Sequence, residues 1–501
     1  MKRYFFFFWF FSFVLSASTL HLSASSNPAR LNPLIATDSA SSSIAGFMFN
    51  ALVKYDETGQ KIIGDLAQSY RFINPTTLEF KLRHGVKWHD GKPFTANDVV
   101  FTYELIRSPK TITPYSTDFR VVKAVKAMDD HTLRVTYTKP YFKALEIWMM
   151  GIVPRHLLRY EKDIMGSNFN THPIGTGPYK LKKLEFSKQI VLEANLAYFE
   201  HRPKIDTIVF HVIADPMTRF LMLKNGEIDI DGLESMQYER QLGRDFHKRF
   251  TTLELPSHSY TYLGFNLRLK KFQDPRVREA LSLAIDRQSL IDILFLNHGK
   301  VCTGPFLPGS KGFNSEVKAP QRNLQRARAL LKAAGYDSKH PLRFEIATSN
   351  SNAIRPYAAE ILQRQLREVD VHVTLKVMEW QAFLNTVVMP KKFETVLLGW
   401  ALSLTPDPYM IWHSEGDVPG GFNMIGYHSA RTDRLIEAME ATTDPDRIAA
   451  LQRQIFKQIV SDNPYLFLVI PNDLHVYNNK IKGIKPSING IWEDYIDWEK
   501  K

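Results

Sequence analysis

An α/β fold, with helices on the faces of a mixed or parallel sheet, is what this sequence predicts, and three observations predict it. From Ile208 onward, strand-like and helix-like segments alternate, as βαβ units require. Earlier stretches such as TLHLSAS and TLRVTYTKP alternate apolar and polar residues, the pattern of strands with one buried face. The chain has 501 residues, 44% of them hydrophobic, so it can bury more than one core. At ~100–200 residues per domain, two or three domains are expected.

Taken in order, TLHLSAS is an edge-type strand, and Ser41 to Val53 reads as a helix with Ile44, Phe47, Met48 and Leu52 on one face. Leu78 to Leu82 is a strand, and turns follow at Gly85 and at Asp90-Gly91. Thr95, with Asp98 three residues on, resembles a capping box opening the helix that carries Val99, Val100, Tyr103 and Leu105. Residues from about 52 to 167 therefore form a small α+β unit. IGTGPYKL is a tight turn running into a strand. Pro178 and a strand follow its Gly-Thr-Gly, so it lacks the GxGxxG and helix of a nucleotide site.

DTIVFHVI is a strand, PMTRFLMLKNGEIDI a helix closed by Asn225-Gly226, and IDIDG the next strand. SYTYLGFNL enters a new unit. It comprises a helix from Pro275 to about Leu296, a helix from about Asn323 to Ala334, the strand LRFEIAT, a helix from about Arg355 to Glu368, and the strand VHVTLKVM. Next comes VLLGWALSLTPDPYMIWHS, in which Pro406 and Pro408 cannot donate to a ladder, so the strand ends near Leu404. A large aromatic, Trp400, and a carboxylate, Asp407, then stand where a buried strand stops. They either face a ligand or plug the end of a core. YLFLVIPNDLHVYNN holds one more strand.

Composition narrows the function. MKRYFFFFWFFSFVLSAS has a basic start, an apolar run from Phe5 to Leu15 too short for the ~20 residues that cross a bilayer, and then small residues. Residues 1–18 read as a signal peptide cleaved near Ala17 or Ser18. With no cysteine near the cut there is no lipid anchor, and the mature chain is expected to be periplasmic. Cys302 is the only cysteine, which excludes an internal disulfide and reads as a packed residue. The net charge of +12 is scattered among acids rather than clustered, so no nucleic-acid partner is expected. HExxH, GxSxG and the P-loop are absent, and His84, His89, His413 and His428 lack metal-site spacing. No enzyme, cofactor or metal site is expected.

Several stretches together resemble one family: LEFKLRHGVKWHDGKPFTANDVVFTYE, IGTGPYKL, YLGFNLRLKKFQDPRVREALSLAIDRQSLI, RARALLKAAGY, GW…PDPYMIWHS and NPYLFLVIPND. They look like the peptide/nickel class of extracellular solute-binding proteins of ATP-driven (ABC) importers. The likeness runs from near Asn32 to near Pro486. It implies a two-lobed periplasmic binding-protein fold with a hinge and an extra α+β domain inserted in lobe one. Lobe one would take 19–50, 168–258 and 472–501, the inserted domain 51–167, and lobe two 259–471, with crossings near Ser257–Gly264 and Ile470–Val476.

The resemblance also implies a site. A peptide's main chain would pair with Ala36-Thr37-Asp38 of lobe one and Ala401-Leu402-Ser403 of lobe two, as in strand addition. Trp400 would form a wall, and Trp380 a side-chain pocket; both also read as core. Where dipeptide and oligopeptide binders hold the ligand's α-ammonium with a carboxylate three positions after this tryptophan, the chain has Ser403. Asp407 or Asp38 replaces that charge, or the ligand lacks a free amino terminus. The arginine that dipeptide binders use for the ligand carboxylate has no clear match; Arg355, a few residues on, either reaches a carboxylate or lies on the surface. A longer peptide is favoured over a strict dipeptide, with a nickel chelate or other small solute as the alternative. The expected partners are the importer's permease and ATPase, with the membrane reached only through the permease and the chain itself a monomer.

Overall fold

The computed structural model describes residues 18–36, 38–59, 61–116, 118–350, 352, 354–403, 405–418 and 421–501. The signal-peptide reading, apart from Ser18, and the expectation for Thr37 lie outside the described residues.

The strands run β1 (Thr19–Ala24), β2 (Val53–Tyr55), β3 (Ile62–Gly64), β4 (Ala67–Asn74), β5 (Thr77–Leu82), β6 (Val122–Asp129), β7 (Thr132–Tyr137), β8 (Tyr179–Glu185), β9 (Gln189–Ala194) and β10 (Thr207–Val212). They continue with β11 (Ile230–Gly232), β12 (Phe250–Pro256), β13 (Ser259–Phe265), β14 (Gly299–Val301), β15 (Arg343–Ser349), β16 (His372–Met378), β17 (Thr395–Ala401), β18 (Tyr465–Asn478), β19 (Ile481–Lys482) and β20 (Glu499–Lys500). One mixed sheet has the order β16-β15-β17-β13-β18-β11-β1-β10-β9-β8, with β12 and β14 also on β18. A separate four-stranded sheet has the order β4-β5-β7-β6.

β18 belongs to both halves of the large sheet. Its residues Tyr465–Val469 pair antiparallel with β13, and its residues Asn472–Asn478 pair with β12. Pro471 sits at the changeover, where a residue with no N–H interrupts the ladder at no further cost. β12 and β13 are separated only by Ser257 and His258, so a second connection between the halves lies beside the first.

Side-chain alternation sets the layers. In the second half, Leu263 and Leu397 point to a core with the helices Pro275–Ala284 and Ile354–Arg367. Their neighbours Tyr262 and Leu398 point to the opposite core with Trp412, Tyr465 and Phe467. The first half and the four-stranded sheet share one core running from Leu20 to Trp498.

Local chemistry explains most boundaries. The Asp98 carboxylate accepts the Thr95 N–H at 2.9 Å, opening the helix Ala96–Arg107. Gly226, at φ 82°, closes the helix Pro216–Asn225. The Gly-Thr-Gly turn is a close approach: a Cβ on Gly175 would lie 1.8 Å from the Met48 carbonyl oxygen. Two helices are shorter than the pattern suggests. The expected helix Ser41–Val53 is Ser39–Ala45, because Asp38 caps it two residues early and Gly46 ends it. The expected helix from Pro275 to Leu296 is two, Pro275–Ala284 and Arg287–Leu294. The Asp286 carboxylate accepts the Ser289 N–H at 3.1 Å and starts the second. Among the described residues, no helix is long and apolar enough to cross a membrane.

Candidate ligand-binding cleft

β17 ends at Ala401, three residues before the expected limit. Leu402 still follows the neighbouring strand, since its N–H donates to the His258 carbonyl at 2.7 Å. Trp400 is half-buried at the end of β17. Its ring lies parallel to Tyr262 at 6.2 Å and edge-on to Phe422 at 5.9 Å, and Nε1 donates to the Tyr465 hydroxyl at 3.4 Å. That is a fixed aromatic wall rather than a fully packed core residue.

Three cavities lie around this point. One of about 240 Å³ is lined by Trp400, Ala401, Gly399, Arg355, Leu294 and Pro471, among others. Arg355, expected either to reach a carboxylate or to lie on the surface, has its Nε buried, with no hydrogen-bond partner among the described residues. Burial lowers the guanidinium's affinity for its proton, with Tyr262 opposing. A second cavity, of about 340 Å³, puts Leu402, Ser403 and His258 opposite Tyr55, Lys143, Glu146 and Met149, with Asn489 from the C-terminal segment. A third, of about 420 Å³, shares Tyr55 and Met149 with it and includes Ala36, Asp65, Tyr115, Glu200, Trp492 and Glu493. Ala36 and the residues that follow Trp400 thus line neighbouring cavities.

The carboxylates divide by how they are engaged. Asp38 accepts the Ser41 N–H at 2.8 Å and the Ser41 hydroxyl at 2.5 Å, capping a helix. Asp407 accepts the Tyr409 N–H at 2.9 Å. Burial raises its pKa, Glu440 adds to the rise, and Lys143 and Arg120 oppose it. Asp65 is buried against Asn50 and the Ala51 N–H at 2.9 Å each, and burial lifts its carboxyl to about 6. Glu200 pairs with Lys54 at 3.0 Å. Glu440, fully buried, takes Arg120 at 2.6 Å and Lys139 at 3.0 Å, both from the unit that carries the four-stranded sheet. The Arg120 guanidinium also lies 4.5 Å from the Tyr409 ring centre.

Trp380 packs against Phe383 at 6.2 Å in the short helix Trp380–Phe383, set apart from the residues that line these three cavities. Cys302 is buried, its thiol donates to the Gly304 carbonyl at 3.4 Å, and burial pushes it up to about 12, leaving no thiolate nucleophile. Among the described residues, no group of three or more His, Cys, Asp or Glu is placed to hold a metal ion. Sequence reading missed Tyr55, Lys143, Glu146, His258, Asn489 and Trp492. They come from segments far apart in the chain, each in an ordinary local pattern, and no motif joins them.

Comparison with known proteins follows this geometry. Residues 61–421 match the profile of the bacterial extracellular solute-binding proteins, family 5 Middle. The oligopeptide-binding protein AppA of Bacillus subtilis is 30% identical over 477 residues, covering 91% of this chain and 87% of that protein. Its structure in complex with a nonapeptide matches with a TM-score of 0.83 at 28% identity, over 96% of this chain and 99% of the other. NikZ from Campylobacter jejuni, solved in complex with Ni(L-His), matches with a TM-score of 0.83 at 26% identity, over 97% and 99%. The architecture is accordingly the two-lobed periplasmic binding-protein fold. The chain belongs to the bacterial extracellular solute-binding proteins of family 5.

Proposed function

We propose that this chain captures peptides between its two lobes and delivers them to an ABC importer, favouring oligopeptides over dipeptides. Lobe one takes 19–50, 168–258 and 472–501, the inserted domain 51–167, and lobe two 259–471. The single observation that carries the reading is the cavity bounded by Leu402 and Ser403 on one side and Tyr55, Glu146 and Met149 on the other. It adjoins the larger cavity at Ala36, and both fall in the roughly 300–1,000 Å³ range of ligand pockets. Two adjoining chambers suit an extended main chain better than one compact solute. The match to a nonapeptide complex supports the same choice.

In this reading the main chain of the ligand runs along Ala401–Ser403 and the segment Ala36–Asp38, with Trp400 as a wall, while Trp380 and Asp407 line none of the three cavities. Arg355 offers a cation beside Trp400 for a carboxylate or a polar side chain. Ligand contact with both faces favours the closed shape, which the permease reads, and the importer's ATPase supplies the work. The protein binds without turnover and works as a periplasmic monomer after loss of its signal peptide.

Native mass spectrometry of material released from the purified protein tests this. Co-purifying peptides of three or more residues are the expected result. A second reading, a receptor for a nickel–histidine chelate, has the match to NikZ in its favour. Release of a nickel complex and no peptide, with tryptophan fluorescence responding to Ni(II)–histidine alone, would replace the first reading with the second.

A further inference from the structure

The two halves of the large sheet share β18, and beside the changeover at Pro471 one side chain reaches from the second half to the first. His298 stands between the helix Arg287–Leu294 and β14, which pairs with β18 at Val469–Pro471. It is buried, and both of its ring nitrogens meet carboxylates. Nδ1 lies 3.0 Å from Glu254 Oε1, on β12, and Nε2 lies 2.7 Å from Glu239 Oε1, on the helix Ser235–Arg240. β12 pairs with the first-half stretch of β18, and Tyr238 of the same helix packs on the cluster of Phe250, Leu474 and Val476. Both carboxylates therefore belong to the first half, and the imidazole to the second.

Two carboxylate acceptors on one imidazole are both met only when both ring nitrogens carry hydrogen, so the geometry is that of the imidazolium. Tyr238 stands edge-on to the ring, with centres 4.9 Å apart. The Asn472 side chain donates to the same Glu254 oxygen, and the Asn472 N–H donates to the His298 carbonyl at 3.2 Å. Lys300, on β14, adds a positive charge that acts on Glu254. Burial works against a charge on His298, but the hydrogen bonds and charges of Glu254 and Glu239 outweigh it and hold the ring above its ordinary value. The turn that presents the ring is strained. Leu296 and Asn297, neither a glycine, sit in succession at φ 49° and 70°. Such a turn persists only where its surroundings fix it, and here part of those surroundings lies across the junction.

We propose that protonated His298 ties the two halves in the arrangement that holds a guest, and that loss of its proton loosens the tie and releases the guest more readily. This rests on the peptide reading above. When the halves part, the imidazole leaves both acceptors, while the two chain connections stay whole. The imidazolium is then favoured only in the joined arrangement. The tie is fully present below the ordinary histidine value of 6.5 and is lost as pH rises through the raised value.

The test offers the purified protein a tryptic digest of casein at about pH 6 and at about pH 8.5, on either side of the range in which a histidine titrates, and quantifies retained peptides by mass spectrometry. The readout is the ratio of wild-type retention to that of His298→Gln at each pH, in which titration of the peptides themselves cancels. The carboxylate side chains are 46% and 36% exposed, which places the tie between a surface pair and a buried charge-assisted bond. A ratio of about three- to tenfold at the lower pH, falling to within about twofold at the higher, is expected on that basis. Glu239→Gln, which keeps the imidazole and removes one charged acceptor, is expected to give the same trend at smaller size, and it carries the test if His298→Gln fails to fold. A ratio that is the same at both pH values overturns the inference and leaves the peptide reading intact, since His298 then only packs. So does a ratio that rises with pH. Retention of no peptide by the wild type overturns the peptide reading and the inference with it.

Discussion

Glutamine at position 440 should weaken ligand binding far more than it weakens the fold. Glu440 is fully buried at the end of the helix Ala430–Glu440 and takes Arg120 at 2.6 Å and Lys139 at 3.0 Å. Both cations come from the unit around the four-stranded sheet, so the three groups meet only when that unit and the second half of the large sheet are in contact. The size of the effect follows from exposure. Removing one partner of a fully buried ion pair costs ~3–5 kcal/mol, and surface pairs contribute ~0–1 kcal/mol. Here the acid is buried, but the arginine and lysine side chains are 30% and 45% exposed and regain water when released. The amide also keeps one acceptor, so about 1–2 kcal/mol is expected, or roughly a 5- to 30-fold rise in Kd.

Isothermal titration calorimetry with a co-purifying peptide measures this, and thermal melting of the unliganded chain gives the control. If the contact forms only on closure, the melting temperature without ligand stays put while Kd rises. Added salt should then weaken the wild type more than the variant, because the exposed cations are screened. A variant that binds like the wild type but melts several degrees lower would refute the reasoning, since the contact would then be a permanent tie.

Gly399→Ala should displace Arg355, because the new Cβ would lie 2.8 Å from its Nη2 and 2.9 Å from the Tyr260 carbonyl; about 1–3 kcal/mol of stability should be lost in chemical denaturation. Asp65 gives a pH signature. Its carboxyl rises from the ordinary 3.8 to about 6, so between these values the folded chain holds a proton that the unfolded chain has released. Stability therefore falls as pH rises through that window and levels off above it. Relative to Asp65→Asn, the wild type should lose on the order of 3 kcal/mol across the window, read from melts at several pH values. Cys302 should react with a disulfide reagent at neutral pH only once the chain is unfolded, given a thiol at about 12 and a fully buried position.

Much of the scaffold was legible in local pattern. The alternating strands β1, β7, β10 and β13, the Thr95 box and the Asn225-Gly226 ending are set by short-range chemistry, and they are where the pattern placed them. The lone aspartates were the weak point. Asp38 and Asp286 start helices, and Asp407 holds a turn, yet an aspartate before a helix looks the same in sequence as one that faces a ligand. Tyr55, Glu146, Ser403 and Asn489 meet only because two sheets and a C-terminal segment fold together, so no spacing along the chain announces them. Arg355 was read in two ways because a helix start is exposed in most contexts. Its guanidinium lies against Gly399, where a Cβ would come within 2.8 Å of Nη2, and no local pattern announces that neighbour.

β18 has a further consequence, for the order of assembly. β1, the first strand among the described residues, lies between β10 and β11, and β11 in turn pairs with β18. Lys500, one residue from the end, donates to the Thr19 carbonyl at 2.7 Å. β1 therefore has both its neighbours once residue 232 is made, but β11 keeps an open edge until β18 is complete at residue 478.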